Sequence, residues 1–444
     1  MNRKQLLLPI MTGWTIRNLE NSRLLDFLNS GTFDLTVLTT DQLADQVNNL
    51  LSDAELVVIS SKELNRRIHR MSEYWAFRMA KAIHIHLFLS RTSTYGAKEG
   101  YPGSTGFILK LLVTLLPGLA KAIFPWLRKR YAEKNQRYFP ELAQLRFDLG
   151  LSLCVNVISE EFLATNLVCT RCDRSLGYVL SWDNPSSKPF WIPPLNEIMV
   201  WGEQMHTDVW IVGQDYLSED QLHQVGALQM DWHFAEEEEE NNQTFNVGTP
   251  FIFYACVTEI QFQDEPVFLE ACVEAARKEF PAVNWYVRTH PKESGERFDR
   301  LKLFDNLTLD APNSGDLRNW KVDGGEKERL RQALQSAFLV CTSFGTLTLE
   351  ALIYGKKPVL ISSPNQDGSV TSASRHLDYH HTKELLKKTY YQQVRTPEEM
   401  IEIIRSTLSK STSDYRDIYE DYFINNEEQL ASDAIVDLLC ASSD

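Results

Sequence analysis

The sequence lacks any long uninterrupted hydrophobic segment. No run of about 18 uncharged apolar residues occurs among its 444 residues, so the sequence predicts no membrane span. The apolar run from Leu6 to Met11 is too short for the core of a signal peptide, and no small-residue cleavage site follows it. We therefore expect a soluble cytoplasmic protein that is located at most at the inner face of the membrane.

Cysteine is scarce, and basic residues are outnumbered by acidic ones. The seven cysteines are scattered and odd in number, which favours reduced cytosolic thiols over a disulfide framework. The chain has 45 lysines and arginines against 60 aspartates and glutamates, so its net charge is −15. Because nucleic-acid phosphates are bound by basic faces, we expect no nucleic-acid partner.

Several familiar catalytic motifs are absent. The sequence contains no HExxH, no GxSxG, no GxxxxGK[ST] and no DxD triplet of the kind that holds a divalent metal for sugar nucleotides. The pair Cys169 and Cys172 forms a CxxC without a second pair, which favours packing in the core over metal binding. We therefore expect neither a metal site nor an organic cofactor.

An acidic run divides the chain into two halves. Residues 236–240 are five consecutive glutamates followed by Asn-Asn-Gln. Such a run repels itself and solvates well, which favours an interdomain linker or an exposed loop over a functional acidic patch. We predict an N-terminal domain over residues 1–240, a C-terminal domain over residues 241–405 and C-terminal helices over residues 406–444.

Both halves alternate apolar strands with helical periodicity. In the first half, the apolar run 6–10, a turn at Gly13, a helical pattern and a strand at 33–38 begin a parallel α/β unit. Later strands of this half are predicted at 151–158 and 176–181. In the second half, the fully apolar run 251–257 has the pattern of a buried parallel strand. Further strands are predicted at 284–287, 307–309, 338–341 and 357–362. We predict an α/β fold of two Rossmann-like domains facing a central cleft, with the C-terminal helix returning to the first.

A turn rich in serine, threonine and glycine follows one strand of the second half. In Val340-Cys-Thr-Ser-Phe-Gly-Thr346 a strand ends and a helix begins, and its free N–H groups and positive dipole end can hold a phosphate. Ser343, Thr346 and Glu350 are spaced to share one helix face, and Gly345 lies in the turn. The Glu350 carboxylate can accept hydrogen bonds from a ribose or a sugar. The alternative is that Ser343 only caps the helix and Glu350 is a surface acid.

A basic loop follows the preceding long strand. Arg288, His290 and Lys292 lie where that strand ends, and open α/β sheets bind ligands outside the carboxyl ends of their strands. Two cations and an imidazole suit a phosphate or diphosphate leaving group. Each residue alone fits a solvent-exposed loop equally well. Because this loop and the Ser/Thr turn belong to one sheet, we predict that they form a nucleotide-phosphate site together.

Polar residues also end a strand of the first half. Asp183, Asn184 and Lys188 follow the apolar run 176–181. Aspartate and asparagine in such a place often only build an Asx turn. The functional hypothesis is that Asp183, at a strand end that faces the possible cleft, is a candidate base or acceptor contact.

The segment 107–130 reverses the charge of the chain. It is strongly apolar, is broken at Pro117-Gly118 and runs into Arg128-Lys-Arg130, and residues 101–150 contain eight lysines and arginines against three acids. We treat residues 101–140 as a helical, basic and apolar insertion. It fits either an interfacial element on anionic lipid headgroups or a helical pair packed on the first domain.

Together these segments resemble GT-B-type glycosyltransferases of bacterial surface polysaccharide synthesis. The resemblance spans about residues 150 to 405 and includes 181–188, 198–203 and 225–231 of the first half. Arg288-Thr-His-Pro291 and the turn 342–346, continued through Pro358, are similar to the His-Pro and Ser/Thr-plus-Glu motifs of CDP-glycerol glycerophosphotransferase, capsule-polysaccharide and Kdo-transferase relatives.

The resemblance implies a metal-independent transfer of a sugar or polyol phosphate. The donor would be CMP-, CDP- or UDP-linked, and the acceptor a glycan or lipid-linked glycan. His290 would contact the donor phosphates, Ser343 and Thr346 would receive them, and Glu350 would lie near the ribose or the donor sugar. Asp183 would be the base that deprotonates the acceptor hydroxyl, and Asn184 and Lys188 would line the acceptor side. The chain departs from the glycerophosphotransferase pattern because it lacks a paired Ser-Ser at this turn.

Two alternatives remain open at the level of the sequence. A nucleotide-sugar 2-epimerase has the same two-domain layout and would release free nucleotide and epimer without an acceptor. A non-catalytic assembly partner at the membrane would keep the fold but bind no nucleotide.

Overall fold

The chain forms two compact units. The computed structural model describes residues 3–92, 104–234, 250–311, 324–343, 345–389, 392–409, 415–420, 422 and 429–441. The first unit comprises Met1–Ala235 together with Asp421–Asp444, and the second comprises Glu236–Glu420. The acidic run 236–240, which the sequence predicts to be a linker or loop, lies outside the described residues.

The first unit is built on a parallel sheet. Within the described residues, seven strands are ordered β3-β2-β1-β4-β5-β6-β7, and each neighbouring pair is parallel. These strands are β1 Lys4–Ile10, β2 Phe33–Thr40, β3 Glu55–Ile59, β4 Phe147–Ser152, β5 Cys172–Tyr178, β6 Glu197–Val200 and β7 Leu222–Gln224. The strand order reverses between β1 and β4, which is where open α/β sheets form their ligand crevices.

Helices cover this sheet and extend from it. In chain order they are α1 Gly13–Glu20, α2 Leu24–Asn29, α3 Ala44–Leu50, α4 Ser61–Glu73, α5 Trp75–Ile83, α6 Ser104–Leu115, α7 Pro117–Asn135, α8 Ser159–Arg171, α9 Asn184–Ser187 and α10 Glu203–Gly213. The pair α6 and α7 lies within the predicted helical insertion. Its inner residues Val113, Phe124 and Leu127 are buried, so the pair packs on the first unit.

The second unit repeats this architecture with a smaller sheet. Its described strands are ordered β10-β9-β8-β11-β12-β13 and are all parallel. They are β8 Phe251–Ala255, β9 Asn284–Arg288, β10 Leu307–Asp310, β11 Leu339–Thr342, β12 Pro358–Ile361 and β13 Gln392–Val394. The flanking helices are α11 Glu265–Glu279, α12 Gly324–Ser336, α13 Thr346–Ile353, α14 Ser372–His376, α15 His380–Thr389, α16 Pro397–Leu408 and α17 Arg416–Glu420.

Strand β8 shows why the sequence identifies this sheet. Its residues alternate between two hydrophobic clusters, with Ile252 and Tyr254 in one and Phe251, Phe253 and Ala255 in the other. Because helices cover both faces, each residue of the strand is buried and the apolar run is unbroken.

The end of the chain belongs to the first unit. Helix α18, Ala431–Cys440, begins on the carboxylate of Asp231, which accepts hydrogen bonds from the backbone N–H groups of Ala431 and Ser432, each at 2.9 Å. A carboxylate at a helix N-terminus is stabilised by the free N–H groups and the dipole. The C-terminal helices predicted over residues 406–444 are divided between the units, because α17 belongs to the second unit and α18 to the first, and Leu430 before α18 is extended.

One strand of the first unit is displaced from its predicted position. The sequence places a strand at 151–158, but β4 is Phe147–Ser152. Residues 153–157 are buried without being strand, so their apolar character reflects a covered loop at the sheet edge. A buried loop and a buried strand can have the same apolar sequence, so a short apolar run does not distinguish between them.

Candidate functional site

Three buried hydroxyl groups follow three strands at the carboxyl edge of the second sheet. Thr289 follows β9, Ser343 follows β11, and Ser362 follows β12. These residues are 1%, 5% and 7% exposed, and their hydroxyl oxygens have no hydrogen-bond partner among the described residues. A buried polar group left unpaired costs about 1–3 kcal/mol. A ligand rich in acceptor oxygens would satisfy all three.

The strand register places these hydroxyls along one edge. Ala255 of β8 is paired with Arg288 on one side and with Thr342 on the other, so Thr289 and Ser343 follow at the same level. Two strand spacings separate them, which is about 10 Å. Sequence reasoning predicted Ser343 but missed Thr289 and Ser362, although a hydroxyl directly after an apolar strand was a readable signal.

His290 presents a defined tautomer at this edge. Its Nδ1 accepts a hydrogen bond from the backbone N–H of Lys292 at 3.1 Å, so the proton of the neutral ring is on Nε2. Burial, together with the positive charges of Lys292 and Arg297, lowers the pKa of His290 to about 4. At neutral pH the ring is therefore an uncharged Nε2–H donor, while Lys292 contributes an exposed positive charge.

Arg288 is engaged in a different way from the one predicted. Its guanidinium donates to Asp310 Oδ2 at 2.6 Å and to Glu326 Oε1, and the residue is buried. These two carboxylates neutralise the charge and join the end of β9 to β10 and α12. The structure thus places Arg288 in a buried ion-pair network instead of at an open phosphate-binding position.

The Ser/Thr turn forms the N-terminus of α13. Gly345 precedes the helix with an extended backbone, and its N–H donates to Thr348 Oγ1 at 3.2 Å. A Cβ built on Gly345 would meet only the Ser343 carbonyl oxygen, 4.0 Å away, so a ligand can approach this backbone closely. Thr346 begins the helix and Glu350 is buried one turn further on. The first-turn N–H groups of such a helix suit an anion.

A buried network holds the loops around this edge. Glu265 accepts hydrogen bonds from the backbone N–H of Val257 at 3.1 Å and from Arg297 at 2.9 Å. Arg297 also donates to the carbonyl oxygen of Val257 at 2.6 Å and to Glu293 at 2.7 Å. Burial raises the pKa of Glu265 to about 8, although Arg297 opposes this shift. The loop that carries His290 is therefore tied to the end of β8.

The predicted acceptor-side residues lie together in the first unit. Asp183 accepts a hydrogen bond from Ser187 Oγ at 2.9 Å, and its carboxylate is 3.4 Å from Lys188 Nζ. The orientation of the Asn184 amide that satisfies both its ends donates to Asp183 at 3.2 Å and accepts from the Ser181 N–H at 3.2 Å. The Asp183 side chain is partly exposed after β5, whereas Asn184 is buried.

A second carboxylate of the first unit was missed from the sequence. Glu161 lies in the first turn of α8, and its Oε1 accepts hydrogen bonds from Thr12 Oγ1 at 2.8 Å and from Thr15 Oγ1 at 2.9 Å. Burial raises the pKa of Glu161 to about 7. Because Thr12 follows β1 and α8 follows β4, this titratable group lies at the point where the strand order reverses. In the sequence it resembled an ordinary acidic first turn of a helix.

The loop between β4 and α8 contains a strained residue. Asn156 has a φ of 60° and is the one non-glycine residue in the described chain with positive φ. Such conformations cost about 1–3 kcal/mol and cluster at functional sites.

Within the described residues, no group of three or more His, Cys, Asp or Glu is placed to hold a metal ion.

Comparisons with known proteins identify structural relatives only. No family model matches the chain, and no curated sequence is significantly similar to it. A putative UDP-N-acetylglucosamine 2-epimerase from Listeria monocytogenes has a TM-score of 0.55 at 12% identity, covering 98% of this chain and 95% of that one. The S. aureus MnaA–UDP structure has a TM-score of 0.52 at 11% identity, covering 98% and 96% of the two chains.

A third structure extends this agreement. UDP-GlcNAc 2-epimerase from Neisseria meningitidis, solved with UDP-GlcNAc bound, has a TM-score of 0.51 at 11% identity and covers 98% of this chain and 99% of its own. At these identities the likeness establishes the fold. The predicted class of two Rossmann-like domains is confirmed, and the chain has the two-domain α/β GT-B fold.

Proposed function

We propose that the second unit binds a nucleoside-diphosphate sugar and that the protein transfers the sugar to a glycan acceptor. The observation that carries this proposal is the row of buried hydroxyls of Thr289, Ser343 and Ser362, which have no hydrogen-bond partner within the part of the chain that the structure describes. A diphosphate offers acceptor oxygens to several donors at once. The adjacent helix N-terminus and the His290 Nε2–H supply further donors for the same anion.

Each donor residue has a distinct part in this proposal. Ser343 and the first-turn N–H groups of the helix that begins at Thr346 bind the diphosphate, and Gly345 leaves room for the phosphate to approach the backbone. His290 donates from Nε2 to the phosphate oxygens. Lys292 adds a positive charge at the edge of the site. Glu350 accepts hydrogen bonds from the ribose or the donor sugar. Arg288 is omitted from phosphate binding because its guanidinium is held by two carboxylates.

The transfer step needs a base for the acceptor. In the proposed reaction Asp183 takes the proton of the acceptor hydroxyl, whose oxygen forms a bond to the anomeric carbon of the donor. The bond between that carbon and the phosphate oxygen breaks, and the nucleoside diphosphate leaves with the electron pair. Lys188 and Asn184 hold the carboxylate in place. The donors of the second unit stabilise the negative charge on the leaving group.

UDP is the nucleotide we propose first among CMP, CDP and UDP. Two of the structurally similar proteins were solved with UDP or UDP-GlcNAc.

A second candidate function is 2-epimerisation of a nucleotide sugar. Glu161 supports it, because a buried carboxylate with a pKa near 7 is suited to exchange a proton with a substrate. An epimerase would act on the donor alone, whereas a transferase requires an acceptor.

Calorimetric titration of the purified protein with CMP, CDP and UDP tests the binding step. We expect one of these nucleotides to bind, and Ser343→Ala and His290→Ala to weaken that binding about tenfold or more. Ser409→Ala and His69→Ala are matched controls at exposed positions away from the site. Absence of binding to all three nucleotides would refute both candidate functions.

Product analysis then distinguishes the two functions. Incubation with the UDP-sugar alone should leave it unchanged if the protein is a transferase, and should yield the epimer if it is an epimerase. Release of UDP that depends on added glycan supports transfer.

A further inference from the structure

Helices α6 and α7 present an exposed apolar surface. We call it the elbow surface and define it by Ile108, Leu111, Leu112, Leu115, Leu116, Leu119 and Trp126, together with the adjacent Trp75 of α5. These side chains are 45–66% exposed, and they are eight of the fifteen large hydrophobic residues exposed in the described chain. Contiguous apolar surface of this kind marks an interaction site.

The fold does not need these side chains. The two helices bend by 111° at their junction, and their inner residues Val113, Ala120 and Phe124 are buried against the first unit. The outward leucines at 111, 112, 115, 116 and 119 keep 45–66% of their surface exposed. Trp75 and Trp126 lie beside one another with ring centroids 5.9 Å apart, so aromatic rings border the apolar surface.

Positive charge surrounds the elbow surface. Helix α6 carries Lys110 and no acidic residue, whereas α7 carries five lysines and arginines against Glu133 alone. Lys110, Lys129 and Arg130 are exposed. In a chain with a net charge of −15 this local excess is complementary to an anionic partner.

The combination of groups selects a lipid surface over another protein copy. A symmetric dimer through this surface would bring two sets of like basic charges together. An anionic bilayer instead offers an apolar layer for the leucines, phosphates for the basic residues and an interfacial zone that tryptophan favours. No single described helix is long and apolar enough to cross a membrane, and α6 and α7 reach that length and composition only together, as a pair bent by 111°.

We propose that the elbow surface docks the first unit on an anionic phospholipid bilayer. The leucines of α6 and α7 enter the headgroup region, and Lys129 and Arg130 contact lipid phosphates. This docking is independent of nucleotide binding, so either proposal can fail without the other.

Vesicle co-sedimentation with the full chain tests the docking. We expect binding to phosphatidylcholine vesicles that contain phosphatidylglycerol, weaker binding to phosphatidylcholine alone, and loss of the difference at high salt. The double variant Leu115→Gln, Leu119→Gln should reduce binding about tenfold or more. Ile260→Gln with Leu303→Gln is the control, because those residues of the second unit are 93% and 84% exposed and lie outside the elbow surface.

A second variant separates charge from apolar contact. Each basic residue near an anionic surface strengthens binding about fivefold, so Lys129→Gln with Arg130→Gln should weaken binding to the anionic vesicles about thirtyfold. Binding that all variants retain would overturn the proposal, as would no binding to anionic vesicles. Lipid-free self-association that Leu115→Gln, Leu119→Gln abolishes, without vesicle binding by the wild type, would identify a second copy as the occupant and would also overturn it.

Discussion

The buried hydroxyl of Ser343 predicts effects of opposite sign on stability and on ligand affinity. Ser343 is 5% exposed, and its hydroxyl has no hydrogen-bond partner among the described residues. In alanine a hydrogen atom replaces this hydroxyl, so the substitution removes the desolvation penalty of the buried hydroxyl and leaves almost no cavity. Ser343→Ala should therefore stabilise the empty second unit by about 1 kcal/mol. For a unit of this size that raises the Tm by about 2–4 °C.

The same substitution should weaken nucleotide binding. A hydrogen bond from a hydroxyl to a phosphate contributes about 1.5–3 kcal/mol, so the affinity should fall about tenfold or more. Thermal unfolding with and without UDP measures both effects in one experiment. The variant should unfold above the wild type without ligand and should gain less from added UDP.

A matched serine in the same unit provides the control. Ser374 Oγ donates to the carbonyl oxygen of Ser362 at 2.9 Å, so Ser374→Ala should destabilise the empty unit by about 1 kcal/mol. If Ser343→Ala also destabilises the empty protein, the hydroxyl is paired in solution and our reasoning is refuted. Unchanged UDP affinity would equally refute its assignment to phosphate binding.

Three further predictions concern buried ionisable side chains. Arg288→Met should lower the free energy of unfolding of the second unit by about 3–5 kcal/mol, because it leaves two carboxylates without their cation. The control Arg300→Met removes an exposed ion pair and should change the free energy of unfolding, measured with denaturant, by less than about 1 kcal/mol. Equal effects of the two substitutions would contradict the buried ion-pair network. Burial lowers the pKa of His84 from 6.5 to about 3, so the unfolded chain binds the extra proton first and stability falls as the pH drops from 6.5 towards 3. His84→Leu should flatten that acid dependence in unfolding experiments, and an unaltered slope would exclude His84 as its source. Glu161→Gln keeps a hydrogen-bond acceptor for Thr12 and Thr15 but removes the carboxyl whose pKa is about 7. Any change of activity with pH near 7 should therefore disappear in this variant. If that pH dependence persists, Glu161 is not the acid–base group.

The two-domain α/β fold was readable because of what burial demands of a parallel strand. A strand covered on both faces must be apolar throughout, as β8 is, and such runs recurred at intervals that fit crossover helices. The positions of Ser343 and His290 followed from the same rule, since chemically useful residues directly after apolar strands lie at the carboxyl edge of a sheet. The sequence by itself therefore determined the fold class and the edge where ligands are expected.

Only the tertiary structure decided which charged groups are available. In the sequence Arg288 has the position of a phosphate ligand, but in the structure both terminal nitrogens of its guanidinium donate to carboxylates. These carboxylates belong to Asp310 and Glu326, which are 22 and 38 residues away in sequence. Glu161 resembled a helix-start acid until Thr12, 149 residues away, was found on its carboxylate. Hydrophobic periodicity is a local property of the chain and can be read in sequence, whereas burial, partners and pKa depend on residues that the fold brings together from distant positions.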